Sequence, residues 1–186
     1  GLLLPGARVP DSFVAKLVVL LHARFEAGAQ PLTLFPCELV TNNGDTLRDL
    51  AAAVAREWDA APAFVDYIER GCIWVNSLVD RIVSEPIAPI GAVAEPYALW
   101  AIERQPGMVL PCEHPAIVVT DDLAHYVRLK LLLLNLSHTW LAERWQLEGR
   151  PADENTRAAM ADPALRASLE SLWQDEVLPV FDALGQ

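Results

Sequence analysis

The sequence predicts an α/β segment that passes into an all-α tail, with helix dominating overall. Three observations carry this. Apolar runs of strand length, bounded by turn residues, occur at 32–39, 98–103 and 116–120. Helix-like stretches alternate with them over the first two thirds of the chain. From residue 121 onward only helical spacing and helix caps are present. The expected organisation is therefore two parts, 1–120 and 121–186.

The elements follow in order. Asp11 to Ala27 has an N-cap signal, apolar residues at helical spacing (Phe13, Leu17, Leu20, Leu21, Phe25) and Gly28 as a stop. Residues 32–39 are expected to form a buried strand that ends in the turn Asn42-Asn43-Gly44. Asp45 is expected to cap an alanine-rich helix over 46–59. A further helix starts at Pro62 and is halted by Gly71. Residues 84–96 hold three of the fourteen prolines and read as a connector. Strands at 98–103 and 116–120 precede a long helix that enters through Asp121 or Asp122 and runs to about Leu147. Gly149-Arg150-Pro151 ends it. A short helix at 156–161, then Asp162 as N-cap with Pro163 behind it, leads into a helix over 164–184 with a kink expected at Pro179.

Composition narrows the function. Hydrophobic residues make up 53% of the 186, ample for a core, and no apolar run is long enough to span a bilayer. Leu2 to Leu4 is too short for a signal-peptide core. Gly1 in place of Met fits an internal segment or a processed start. The net charge of −11, with no basic block, argues against a nucleic-acid partner, and without a spanning run no membrane partner is expected. Cys37, Cys72 and Cys112 are well separated and read as reduced thiols of a cytoplasmic protein; without clustered ligands no metal site is expected. The nine glycines are scattered, and none forms the Gly-x-Gly-x-x-Gly turn that cradles a dinucleotide.

The most informative stretch is Arg128-Leu-Lys130-Leu-Leu-Leu-Leu-Asn135-Leu-Ser-His138. It sets an amine, a carboxamide and an imidazole in an apolar helix, where uncompensated polar groups cost roughly 1–3 kcal/mol each. At about 100° per residue, Asn135 and His138 lie roughly 140° and 80° around from Lys130. The spacing reads as a polar site on a buried helix. About 12 Å of ideal helix separates Lys130 from His138, a span that suits a six-carbon substrate lying along the axis.

Lys-x4-Asn-x2-His resembles the signature of the polyol-specific long-chain dehydrogenases and reductases, the mannitol dehydrogenase, fructuronate reductase and tagaturonate reductase family. Two other segments resemble that family in the same order. These are Pro36-Cys37-Glu38-Leu39-Val40-Thr41-Asn42-Asn43-Gly44 and Trp74-Val75-Asn76-Ser77-Leu78-Val79-Asp80-Arg81-Ile82-Val83. Weaker echoes are Glu95-Pro96 through Glu103 and Thr120-Asp121-Asp122. The likeness spans about residues 11–184.

The resemblance implies the closing part of a Rossmann-type domain over 1–120 and the start of a helical substrate domain from 121. It also implies NAD or NADP as cofactor, although its fingerprint is absent from this sequence, and a small sugar acid or polyol as substrate. By the same resemblance Lys130 is the general acid/base, which requires an amine that exchanges its proton near neutral pH. Asn135 donates to the substrate oxygen, and His138 orients a substrate hydroxyl. Asn43 is a second donor, and Asp80 with Arg81 a substrate-facing carboxylate and its partner. Each has a plainer alternative: a snorkelling Lys130, core-satisfied Asn135 and His138, a left-handed turn residue at Asn43, a surface ion pair at Asp80–Arg81. His22, His114 and His125 read as surface or packing residues. Cys37-Glu38-Leu39 is similar to the tagaturonate reductase branch, whereas Glu95-Pro96…Trp100…Ile102-Glu103 is similar to the mannitol and fructuronate branch, so hexuronate and hexitol both stay open. A non-catalytic paralogue serving as a binding or scaffold module is the alternative function.

Overall fold

The structure, a computed structural model, describes residues 9–185; Gly1 and the Leu2–Leu4 run lie outside the described residues. The chain divides into two compact units that meet in sequence at Leu123/Ala124.

The first unit opens with helix α1 (Phe13–Glu26). Its N-cap is Ser12, whose hydroxyl accepts from the Ala15 N–H at 3.2 Å, one residue beyond the expected Asp11. Helix α2 (Asn43–Glu57) packs against α1 through a face of small residues, Ala51, Ala52 and Ala55. The absence of bulk there lets Val18 and Leu21 of α1 approach closely and bury almost completely. Helix α3 (Pro62–Asp66) continues as a π-turn over Tyr67–Gly71. It supplies Phe64 and Ile68 to the same core, and the Trp74 indole N–H donates to the Ile68 carbonyl at 2.7 Å.

Strand β1 is only Thr33–Leu34 and runs parallel to β2 (Ile73–Trp74). The longer strand expected over 32–39 is not formed. Pro36 has no N–H to give a ladder, and its carbonyl is taken by side chains of Asn43 and Ser77. A second sheet has β6 (Leu99–Glu103) in the centre, antiparallel to β3 (Ser77–Asp80) and parallel to β7 (Ile117–Thr120). Residues 84–96, expected as a connector, instead contain an exposed hairpin of β4 (Val83–Ile87) and β5 (Gly91–Ala94). Proline is tolerated there because each strand of a two-stranded ribbon is an edge.

The second unit is helical. Helix α4 (Leu123–Leu129), a π-turn over Lys130–Asn135 and α5 (Leu136–Leu147) form one unbroken helical path. After α6 (Thr156–Ala159) come α7 (Pro163–Leu172), a π-turn over Trp173–Val177 and α8 (Leu178–Ala183). Asp162 caps α7 as expected, accepting from the Ala164 and Leu165 N–H groups at 3.0 and 3.4 Å. Where a kink is expected at Pro179, the helix has a π-turn that ends at Val177, and Pro179 sits in the first turn of α8, where its missing N–H costs little. Arg150 ties the unit together, reaching Glu154 at 2.7 Å and Asp162 at 3.1 Å. No described helix is long and apolar enough to cross a membrane.

Candidate active site

The two motif segments of the first unit turn out to be two halves of one joint. Asn42 adopts the left-handed conformation (φ 51°), so the left-handed turn residue is Asn42, and Asn43 is already the first residue of α2. Helix α2 begins two residues before the expected cap at Asp45, because α2 is anchored from outside. A Cβ on Gly44 would sit 2.6 Å from the Val75 carbonyl carbon and 2.8 Å from the Asn76 nitrogen; only glycine lets the helix start lie on that backbone. Around this contact two asparagines lock the segments reciprocally. The Asn43 carboxamide donates to the carbonyls of Ser77 (2.9 Å), Pro36 (3.0 Å) and Glu38 (3.1 Å), and accepts from the Ser77 N–H at 2.9 Å. Asn76 accepts from the Asp45 N–H at 3.1 Å and donates to the carboxylates of Asp45 (2.9 Å) and Glu103 (2.8 Å).

Asn43 is 3% exposed and its amide is committed to backbone. In this geometry it shapes the loop at the carboxyl end of β1; a role as ligand donor requires those bonds to break. Asn76, Ser77 and Gly44 carry the joint, and sequence reasoning gave none of them a role. The one available signal was that Asn-Gly and Asn-Ser sat inside the two recognised blocks. Beside the joint lies a cleft of about 420 Å³ lined by Phe13, Phe35, Pro36, Cys37 and Leu47. Burial, then the neighbouring Glu38 charge, pushes the Cys37 thiol above its ordinary value.

Asp80 is 8% exposed at the end of β3. Arg81 is exposed, with its Nε donating to the Glu95 carbonyl at 3.1 Å. The Glu95 carboxylate accepts from the Ile82 N–H at 2.6 Å, which joins the Asp-Arg-Ile block to the Glu95-Pro96 echo. The Tyr97 hydroxyl is held above its ordinary pKa by burial first, then by the charges of Asp80 and Glu95.

The Lys130–His138 stretch belongs to the second unit. The expected uniform α-helix is corrected here. Residues 130–135 are a π-turn, with the Leu136 N–H reaching the Leu131 carbonyl five residues back. A π-turn winds roughly 4.4 residues per turn, so Lys130 and Asn135 lie roughly 50° apart about the axis instead of roughly 140°. The expectation of a buried helix is also corrected. Lys130 is half-buried, Asn135 and His138 are exposed, and Leu131 is 52% exposed. Ser137 is the only residue of 123–147 that is buried, so the helix has little packed against it within the described residues. Ser137 is the residue missed here: it is buried, it donates to the Leu133 carbonyl, and it accepts from the Trp173 indole at 2.9 Å. Of the other histidines, the His22 ring meets Phe64 edge-on at 4.9 Å and His114 accepts from the Ala116 N–H at 3.1 Å. His125 lies edge-on to Tyr126 at 5.8 Å.

A dinucleotide's diphosphate needs a glycine-rich turn that presents free N–H groups at a helix start. The start of α2 does not fit. Gly44 is covered by backbone, the Asp45 N–H is taken by Asn76, and the Asp45 carboxylate places negative charge in the first turn. Among the described residues no other glycine-rich turn opens a helix, so the diphosphate cradle is not among them.

A Rossmann-type α/β portion followed by a helical stretch defines the class. The comparisons give the same class. The profile of the mannitol dehydrogenase Rossmann domain matches residues 5–110, and the chain belongs to the mannitol dehydrogenase family. Over 200 residues it is 32% identical to the altronate oxidoreductase of Bacillus subtilis (strain 168), covering 96% of this chain and 41% of that protein. The altronate oxidoreductase of Yersinia pestis is 30% identical over 93% of this chain and 40% of its own length. The chain thus spans about 40% of the curated relatives it matches. Among solved structures, a D-sorbitol dehydrogenase in substrate-free form superposes with a TM-score of 0.73 at 23% identity, over 91% of this chain and 37% of that one. Pseudomonas fluorescens mannitol 2-dehydrogenase, in a ternary complex with NAD and D-mannitol, gives 0.69 at 24%, with the same coverage.

Proposed function

We propose that the full-length protein is an NAD(P)-dependent oxidoreductase that interconverts a secondary alcohol and a ketone on a small sugar acid or polyol, without a metal. We assign the first unit to the end of its dinucleotide-binding domain and the second to the start of its catalytic helical domain. The observation that carries the proposal is the π-turn, which turns Lys130 and Asn135 toward one side of the helix with Lys130 half-buried and Asn135 exposed, in a member of the mannitol dehydrogenase family. The nicotinamide, when bound, supplies the hydride chemistry. Lys130 in its amine form takes the proton from the substrate hydroxyl during oxidation and returns it to the carbonyl oxygen in reduction. The Asn135 amide donates to that same oxygen, and such donors are typically worth about 3–4 kcal/mol in the transition state. His138, one turn further on, orients an adjacent hydroxyl.

A hexuronate/aldonate pair is the favoured substrate class, since the relatives at 30–32% identity are altronate oxidoreductases and the polyol dehydrogenase structures lie at 23–24%. A cytoplasmic location is supported by three free thiols at Cys37, Cys72 and Cys112.

The test is steady-state oxidation of a panel of aldonates and hexitols with NAD and NADP by the full-length protein and its Lys130→Ala variant. The expected loss is about 10²–10⁴-fold in turnover, the usual share of general acid–base catalysis, with partial recovery on adding small primary amines. A variant with near-normal turnover ends the assignment. A wild-type protein inert on every member of the panel points to the non-catalytic module instead.

A further inference from the structure

Hydrogen bonding from i to i+5 is rare in helices and occurs mostly as single turns, often at functional sites. Something must hold it against relaxation to the ordinary α form. In an α-helix the Leu133 carbonyl would accept from the N–H of residue 137. Here the Leu136 N–H points toward it and the Ser137 hydroxyl donates to it. A hydroxyl that back-bonds four residues up the helix competes with the backbone ladder and bends it. Ser137 is 8% exposed, and its oxygen accepts from the Trp173 Nε1–H at 2.9 Å. A relay of donors thus runs from Trp173, at the head of another π-turn, through Ser137 to the Leu133 carbonyl inside the Lys130–Asn135 turn. Thr139 does the same at the lower edge, its hydroxyl donating to the Asn135 carbonyl at 3.0 Å.

We propose that Ser137, fixed by Trp173, is a positioning residue that keeps this turn in its π form and thereby sets Lys130 and Asn135 side by side for one substrate oxygen. This rests on the catalytic roles proposed above. Ser137 touches no substrate; it acts through the backbone that carries the two groups. Loss of the hydroxyl lets the turn relax toward α spacing, which swings Asn135 away from Lys130 while leaving the substrate's other contacts in place.

The test uses the full-length protein and compares wild type with Ser137→Ala, Ser137→Thr, Trp173→Phe, the Ser137→Ala/Trp173→Phe double variant and Lys130→Ala. Misplacement of about 1 Å can cost around 100-fold. Accordingly Ser137→Ala is expected to lose about 10- to 100-fold in kcat with KM within about twofold. Trp173→Phe, which keeps the ring and drops the donor, should lose a smaller factor and remain measurable even if Ser137→Ala folds poorly. The double variant should be no worse than Ser137→Ala, because both cut one relay, and Ser137→Thr should restore most of the rate. Unchanged kcat in both single variants, or fully additive losses, overturns the inference while an inactive Lys130→Ala leaves the catalytic assignment standing. A kcat loss that tracks melting temperature and is not recovered by Ser137→Thr also overturns it, since that is plain destabilisation. A fully active Lys130→Ala overturns the catalytic reading and this inference with it.

Discussion

Gly44→Ala sets two physical effects against each other with opposite sign. Helix propensity favours alanine over glycine by at most about 1 kcal/mol, so a purely local view expects stabilisation even in the first turn of α2. The tertiary contact says otherwise. The new Cβ would lie 2.6 Å from the Val75 carbonyl carbon, 2.7 Å from its oxygen and 2.8 Å from the Asn76 nitrogen, all of them backbone atoms that cannot rotate away. Those distances are roughly 1 Å inside ordinary van der Waals contact, so the start of α2 must lift off the Val75–Ser77 segment. Lifting by that amount breaks the reciprocal bonds of Asn43 with Ser77 and of Asn76 with Asp45, now 2.9–3.1 Å long. At about 1 kcal/mol net per bond, the loss exceeds the propensity gain by about 2–3 kcal/mol. For a chain of this size each kcal/mol moves the melting temperature by about 2–4 °C, so a fall of about 4–12 °C is expected in thermal unfolding followed by circular dichroism. A Gly44→Ala protein that melts at or above wild type would refute the joint as drawn.

Asn135→Ala in the full-length protein is expected to lose about 10²–10³-fold in turnover with no recovery from added amines, which separates a neutral donor from the proton carrier at Lys130; amine rescue of Asn135→Ala would merge the two roles. Because burial and Glu38 both raise the Cys37 pKa, its alkylation by iodoacetamide, followed site by site by mass spectrometry, should set in at higher pH than for a free thiol, and Glu38→Gln should move the onset down. In the helical unit, hydrogen bonding to Arg150 depresses the carboxyls of Glu154 and Asp162. Their folded pKa values lie below the unfolded value of about 4, so this stabilisation is present above that pH and is lost as acid protonates them in the folded state. Melting temperature should therefore fall on acidification from about pH 5 toward 2, and Arg150→Leu should flatten that fall.

What the sequence disclosed, and what it hid, divides by the range of the interaction involved. The Asp162–Pro163 start of α7 was readable because a cap bonds to N–H groups two and three residues away. The α1 cap lies one residue beyond Asp11 because Asp11 and Ser12 are both competent caps, and only the bond to Ala15 chooses. Apolar content favours a strand over 32–39, but β1 stops at Leu34, and the groups that end it, Asn43 and Ser77, lie up to 41 residues from Pro36. The π form of the Lys130 turn was unreadable in the same way, since the residue that holds Ser137 is 36 positions further on. The resemblance implies a donor role for both asparagines, Asn135 at the reacting oxygen and Asn43 as a second donor. Burial parts them. Asn43 spends its carboxamide on four backbone atoms of its own fold, whereas Asn135 stands exposed one π-turn from a lysine. An amide saturated inside the protein must break bonds to meet a ligand, whereas an exposed amide need not. That difference in commitment is set by contacts distant in sequence, and it leaves Asn135 the more accessible of the two amides.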